Sequence, residues 1–435
     1  MSRLALLGGT PAVPAPGPDT AALTDWPVVT DEDERAVLRV LRGDRLTAAG
    51  GDGGETAALE REWAGAVGTA HCLAVSSGTA ALEVALAAAG IGPGDEVVVP
   101  ALTMNATAHA VRRCGAEPVF ADIEPDTYTL DPVQAAGVLT ARTAALLPVH
   151  LHGLPAAMDA LGDLARDRGL AVVEDAAQAH GARHQGAPVG SLGLAGCFSL
   201  HPSKNLPTCG EGGLLTTDSA ELHRAALALR TFGERPPVRI RTYVAHGPGW
   251  NARMGPVEAA FARSQLSRLP QWAKAREESV GALLDRLAAL PGLRVPVVPA
   301  GRTHAWHILR LRLVPAELGL SGVAPAAVRR ALHRALRAEG VPVSRYQTAP
   351  LPAHPAFRAA TASLDAIAER FPVTGAALDG TLCLQRRHLN PAAGPVLAAY
   401  ATAFEKVWDG LETVRAMARA RPYGDWRDDL AGGAR

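Results

Sequence analysis

One alternation constrains this chain more than anything else in it. Six short apolar runs, Cys72–Ser76, Glu96–Pro100, Glu117–Ala121, Ala144–His150, Ala171–Glu174 and Cys197–His201, are set apart by intervening chain. Several of the intervals carry apolar residues at helical spacing, as in Thr79–Ala89, Asn105–Arg113 and Ala156–Arg168. Strands alternating with helices of ~10–15 residues define βαβ units and a mainly parallel sheet. Helices cover both faces of such a sheet, so its strands read as continuous apolar runs, as VVVP and AVVE do here. The expected class is α/β, with a mainly parallel central sheet flanked by helices.

The rest of the chain sets boundaries around that unit. Residues 1–55 are rich in Pro and Gly and read as an arm and a mobile loop, Gly43–Glu55, whose glycines cost too much backbone entropy for a helix. Residues 56–250 form the large α/β domain. Residues 251–418 change character: a long helical pattern over 255–291 broken near Pro270, an alternating strand His307–Leu313, and helices around 324–338 and 393–413. These features indicate a smaller α+β domain. Residues 419–435 read as a tail that frays.

Composition excludes several functions. The 43 Lys+Arg balance 43 Asp+Glu, so no global field favours nucleic acid or an anionic membrane. The longest apolar stretch, Ala80–Ile91, contains Glu83 and falls short of the ~20 residues a bilayer span needs. The N-terminus is a poor signal peptide. Five cysteines without a CxxC pair argue against a disulfide framework or a zinc ribbon, and no metal site is expected. These traits suggest a soluble cytoplasmic enzyme.

Three segments carry chemistry. Lys204 follows a buried run and precedes the glycines Gly210–Gly213. There its charge is costly and its pKa should fall, as an imine-forming lysine requires, although a lysine snorkelling from a strand end looks the same. Asp175 ends the run AVVED, where a carboxylate meets ligands of an open sheet and pairs with a cationic ring nitrogen, or simply caps the next helical turn. Ser76–Thr79 lies between strand and helix, fit to cradle an anion or merely to cap the helix.

Together these form a phosphate cradle, a ring-nitrogen partner and an imine lysine, in that order. The blocks SSGTAAL, VVVPALTMNATAHAV, PVHLHGLPAAMD, VEDAAQAHGA, FSLHPSKN, GEGG and GWNARM resemble, in sequence and order, the DegT/DnrJ/EryC1/StrS aminotransferases. That resemblance implies a fold-type I enzyme dependent on pyridoxal 5'-phosphate. It implies transfer of an amino group from Glu or Gln to a keto-sugar or keto-cyclitol, in amino-sugar, aminocyclitol or related secondary-metabolite biosynthesis. By the same resemblance Lys204 is the imine lysine and Asp175 the ring-nitrogen partner. Gln178 contacts the 3-hydroxyl, Gly78, Thr79 and Ser199 hold the phosphate, and Asn251 reaches the phosphate of a neighbouring subunit, making a homodimer with shared active sites. His180, Arg253, His304 and His307 are candidate substrate contacts, each with an ordinary structural role as the alternative.

The chain departs from the family's pattern at three places. Met104 stands where a ring usually covers the cofactor; a thioether can cover a π face, but it does not stack. The lysine loop KNLPTCGEGG is one residue longer than the usual spacing and carries Cys209. The block LCLQRRHLNP looks closer to the branch handling inososes or aminohydroxybenzoate-type precursors. Two rival functions follow: a family member with epimerase, lyase or C–C bond-forming chemistry, and a PLP-binding regulator.

Overall fold

The computed structural model describes residues 3–15, 17, 21–43, 46–47, 54–235, 243–420 and 424–432. Its main sheet has seven strands. In chain order they are β1 (His71–Val75), β2 (Glu96–Pro100), β3 (Glu117–Ala121), β4 (Thr143–Leu146), β5 (Ala171–Asp175), β6 (Ala195–Ser199) and β7 (Gly213–Thr217). Across the sheet they run β1-β7-β6-β5-β4-β2-β3. Every pairing from β6 to β3 is parallel, and β7 runs antiparallel to both β1 and β6.

Strand periodicity explains the unbroken apolar runs. Leu73 and Val75 face one buried cluster, while Cys72 and Ala74 face another on the opposite side. Val97 and Val99 likewise point away from Val98. A sheet covered on both faces needs apolar side chains at every position. The strand β7 was not anticipated. It is short and starts on a glycine that the geometry demands: a Cβ at Gly213 would sit 2.3 Å from the Ser77 carbonyl oxygen.

A second sheet has three antiparallel strands, β8 (Leu293–Arg294), β9 (Ile308–Leu313) and β10 (Thr381–Gln385). Its apolar face packs on the Pro325–Ala338 and Gly394–Asp409 helices through Leu309, Leu311, Leu332 and Phe404. The cysteines are all free. Among the described residues no helix is long and apolar enough to cross a membrane.

Several sequence expectations are corrected. The helix expected to break near Pro270 runs unbroken from Pro256 to Ala288. An interior proline costs ~3 kcal/mol, but Leu269 and Trp272 on either side of it are buried, and packing along the helix holds it together. The helix expected over 393–413 is two, Gly394–Asp409 and Leu411–Ala420. They part at Gly410, where a Cβ would meet Leu4 Cδ1 at 2.8 Å. The expected frayed tail instead contains a helix, Trp426–Gly432, with Trp426 only 1% exposed in the same apolar cluster as Phe371 and Leu378. The Gly43–Glu55 loop lies largely outside the described residues.

Candidate active site

A cavity of about 470 Å³ opens at the carboxyl ends of β1, β5 and β6. β1 leads through Ser76 into Ser77, which caps the Gly78–Ala88 helix by accepting the Ala80 N–H at 3.1 Å. A helix N-terminus presents free N–H groups to anions, and Ser77, Gly78 and Thr79 all line the cavity. Gly78 is sterically required. A Cβ there would lie 2.6 Å from Ser199 Cβ and 3.0 Å from Ser199 Cα, so only glycine lets this helix start against the end of β6.

Asp175 and Glu174 close β5 and face opposite sides, as alternation requires. Glu174 is sealed in the interior. It accepts the N–H groups of Gly190, Leu192 and Gly193 at 2.7–2.8 Å and pairs with His150 Nε2 at 2.9 Å. Asp175 faces the cavity. Thr107 donates to its Oδ2 at 2.8 Å, and the Ala177 N–H approaches its Oδ1 at 3.2 Å. Burial pushes the Asp175 carboxyl up, opposed by those two bonds and by Lys204. A cationic ring nitrogen is the partner such a carboxylate lacks, so the residue fits a bound pyridinium.

Lys204 is half-buried on the cavity wall, its loop turned by a bond from its own N–H to the His201 carbonyl. Burial pulls its ammonium pKa down, while Asp175 and Glu211 partly restore it. A lysine biased towards the free amine is the nucleophile an imine needs. Gln178 is held at both ends of its amide. Its Oε1 accepts the His152 N–H at 2.7 Å, and its Nε2 donates to Tyr346 Oη at 3.0 Å. Met104 lines the cavity and is 50% exposed. Ser199 lines it as well.

The structure therefore brings Gly78, Thr79, Met104, Asp175, Gln178, Ser199 and Lys204 to one cavity. Asn251 lines a second cavity, of about 330 Å³, which shares Ser77 and Thr79 with the first. The candidate substrate residues do not join the main cavity. His180 is enclosed against Trp63 and Phe198, and burial drops its pKa to about 3. His304 stacks on Trp306 at 4.1 Å and accepts that residue's N–H. The Nδ1 of His307 pairs with Asn205 Oδ1 at 3.0 Å. Arg253 donates twice to Asn251 Oδ1 and lies over the Phe232 ring. His304, His307 and Arg253 are engaged with these neighbours, and His180 is packed among aromatic rings, so none of the four side chains lines this cavity.

Sequence reading missed Thr107 and Tyr346. Thr107 sits on the Ala106–Arg113 helix and its hydroxyl also meets that of Thr103, which precedes the helix, at 3.1 Å, so no helical spacing flags it. Tyr346 meets Gln178 across 168 residues of chain, and no local signal points to it.

This sheet order, with an anion cradle, a buried carboxylate and a lysine at its carboxyl edge, defines a fold-type I transferase. The model of the DegT/DnrJ/EryC1/StrS aminotransferase family matches residues 27–391. A UDP-N-acetyl-3-dehydro-alpha-D-glucosamine 3-aminotransferase of Acidithiobacillus ferrooxidans is 39% identical over 74% of this chain and 84% of its own length. A 3-amino-5-hydroxybenzoate synthase of Amycolatopsis mediterranei is 36% identical over 84% of this chain and 92% of its own. The crystal structure of a 3-amino-5-hydroxybenzoic acid synthase superposes with a TM-score of 0.77 at 33% identity, covering 91% of this chain and 100% of that one. The chain belongs to the DegT/DnrJ/EryC1/StrS aminotransferase family, and it is an aminotransferase.

Proposed function

We propose that this aminotransferase uses pyridoxal 5'-phosphate to move an amino group from Glu or Gln to a keto-sugar or keto-cyclitol. The observation that carries the proposal is the convergence of Lys204, Asp175 and the Gly78–Thr79 helix start on one cavity. The bound cofactor would supply an electron sink and an exchangeable carbonyl carbon. The N-terminus of the Gly78–Ala88 helix and the Thr79 and Ser199 hydroxyls would hold its phosphate. Asp175 would keep the ring nitrogen protonated, with Thr107 steadying its carboxylate. Gln178 would donate to the 3-oxygen with its second amide N–H, and Met104 would cover one ring face.

Lys204 would carry the cofactor and, once displaced by the donor, use Nζ to take the donor's α-proton and return a proton during transfer to the acceptor. Relatives named for an amino-sugar transaminase and for an aminohydroxybenzoate synthase support a six-membered ring acceptor. Asn251, in the adjoining cavity, would serve the cofactor of a second subunit in a homodimer.

Adding Glu or Gln to the cofactor-loaded protein tests this reading. Conversion of its visible absorbance to that of the pyridoxamine form is the expected result. A spectrum that never converts with either amino acid would favour the non-transaminating reading that Met104 admits.

A further inference from the structure

Tyr346 lies on the wall of the main cavity, on a segment following Ser344, which pairs with Cys383 of β10. It comes from the smaller sheet's side of the molecule and faces residues of the main sheet. Its hydrogen bonding can be worked out from one fixed donor. The His152 N–H can only donate, so the Gln178 atom beside it is the carbonyl oxygen. The Gln178 atom beside Tyr346 is therefore the amide nitrogen, which can only donate. The phenol oxygen is thus the acceptor, and its own proton is directed elsewhere. Among the described residues no acceptor takes that proton. Burial pushes the phenol pKa above its ordinary value, so the proton stays on at neutral pH.

The position of the ring is firmly set. Arg310 on β9 is only 3% exposed. It donates to His152 Nε2 at 2.9 Å, to Gln347 Oε1 at 2.6 Å and to Thr381 Oγ1 at 3.1 Å. One buried guanidinium thereby ties the turn that holds Gln178 to the residue next to Tyr346. The Tyr346 ring also stands edge-on to His152, with centroids 5.6 Å apart. A donor held this rigidly at a cavity wall has little entropy left to lose on meeting an oxygen there.

We propose that Tyr346 reads the ketone acceptor: its oxygen accepts the Gln178 amide, and its O–H is donated to a hydroxyl or carbonyl oxygen of the bound ring. The inference rests on the function proposed above and adds a specificity residue to it. The test is Tyr346→Phe, which removes one oxygen and keeps the ring. The two half-reactions are followed separately by absorbance: Glu or Gln against the pyridoxal form, then 2-keto-myo-inositol and dTDP-linked 3-keto-hexoses against the pyridoxamine form. Phe also removes the acceptor of the Gln178 amide, a loss common to both halves. Half-saturation by the ketone should therefore rise about three- to tenfold more than half-saturation by Glu or Gln, as losing one further neutral hydrogen bond predicts.

Equal losses in both halves would mean that Tyr346 merely steadies Gln178 and would overturn the inference. Unchanged ketone saturation would overturn it as well. A wild-type protein that accepts no amine from either donor, or passes none to these ketones, would defeat the functional reading itself and this inference with it.

Discussion

At the scale of single residues, burial decides chemistry. Lys204 and Asp175 are each pushed towards neutrality by the interior and drawn back by one another. That balance suits the proton transfer proposed for Lys204. Lys204→Ala should abolish amine transfer and remove the absorbance of covalently held cofactor; retained turnover would reassign the lysine. Asp175→Asn should keep some cofactor but lose about 100-fold in rate, the low end of what removing one preorganised electrostatic partner costs. Full activity in that variant would mean that another group protonates the ring. The buried histidines carry a pH signature. His180, His304 and His388 titrate near 3 in the fold because burial disfavours their charged forms. Unfolded, each would titrate near the ordinary ~6.5. The unfolded chain therefore binds more protons below that value, so these groups' stability is present above pH 6.5 and lost as pH falls. Between pH 6.5 and 5 each costs about 2 kcal/mol. Thermal melts at pH 7.5 and 5 should show a marked fall in Tm, and a flat profile would refute the burial argument.

At the scale of elements, close approach fixes the cradle. Gly78 lets a helix begin against β6, and Gly213 lets β7 begin against Ser77. Gly78→Ala should push that helix off Ser199 and weaken cofactor binding by at least tenfold, read as the cofactor concentration restoring half the holoenzyme absorbance. Unchanged binding would show that the cradle tolerates displacement. The elements around the cradle were legible in the sequence because their signals are local: a β5 run ending in Glu174–Asp175, a glycine-hydroxyl helix start, a lysine after β6. Helix ends elsewhere were less legible. Pro270 reads as a break, and only its packed neighbours Leu269 and Trp272 explain the continuous helix. Gly410 reads as tolerable within a helix, and only Leu4, arriving from the far end of the chain, makes it a boundary.

At the scale of the whole molecule, distant segments close the structure. The Glu339 carboxylate accepts the N–H groups of Ala5 and Ala12 and pairs with Lys406, drawing the N-terminal arm onto the smaller sheet's core. Trp26 donates its indole N–H to the Lys204 carbonyl at 2.9 Å, so the arm also touches the lysine loop. Trp426 fills the large core from the other end of the chain. Trp426→Ala should cost about 3–5 kcal/mol, the usual price of emptying a buried aromatic site. Denaturant unfolding measures it, and a loss under ~1 kcal/mol would show that the terminal helix is dispensable.

The sequence by itself determined the class of fold and singled out Lys204, Asp175 and the Gly78–Thr79 helix start, which the fold gathers at one cavity. Periodicity and short motifs are properties of neighbouring residues, and one chain displays them in full. Tertiary structure alone decided which histidines stay in the core, that Thr107 steadies Asp175, and that Tyr346 meets Gln178. Those pairings join residues 68 and 168 positions apart. The first depends on how the Ala106–Arg113 helix packs beside the main sheet, the second on how the segment beside the smaller sheet reaches it, and no local pattern of residues records either.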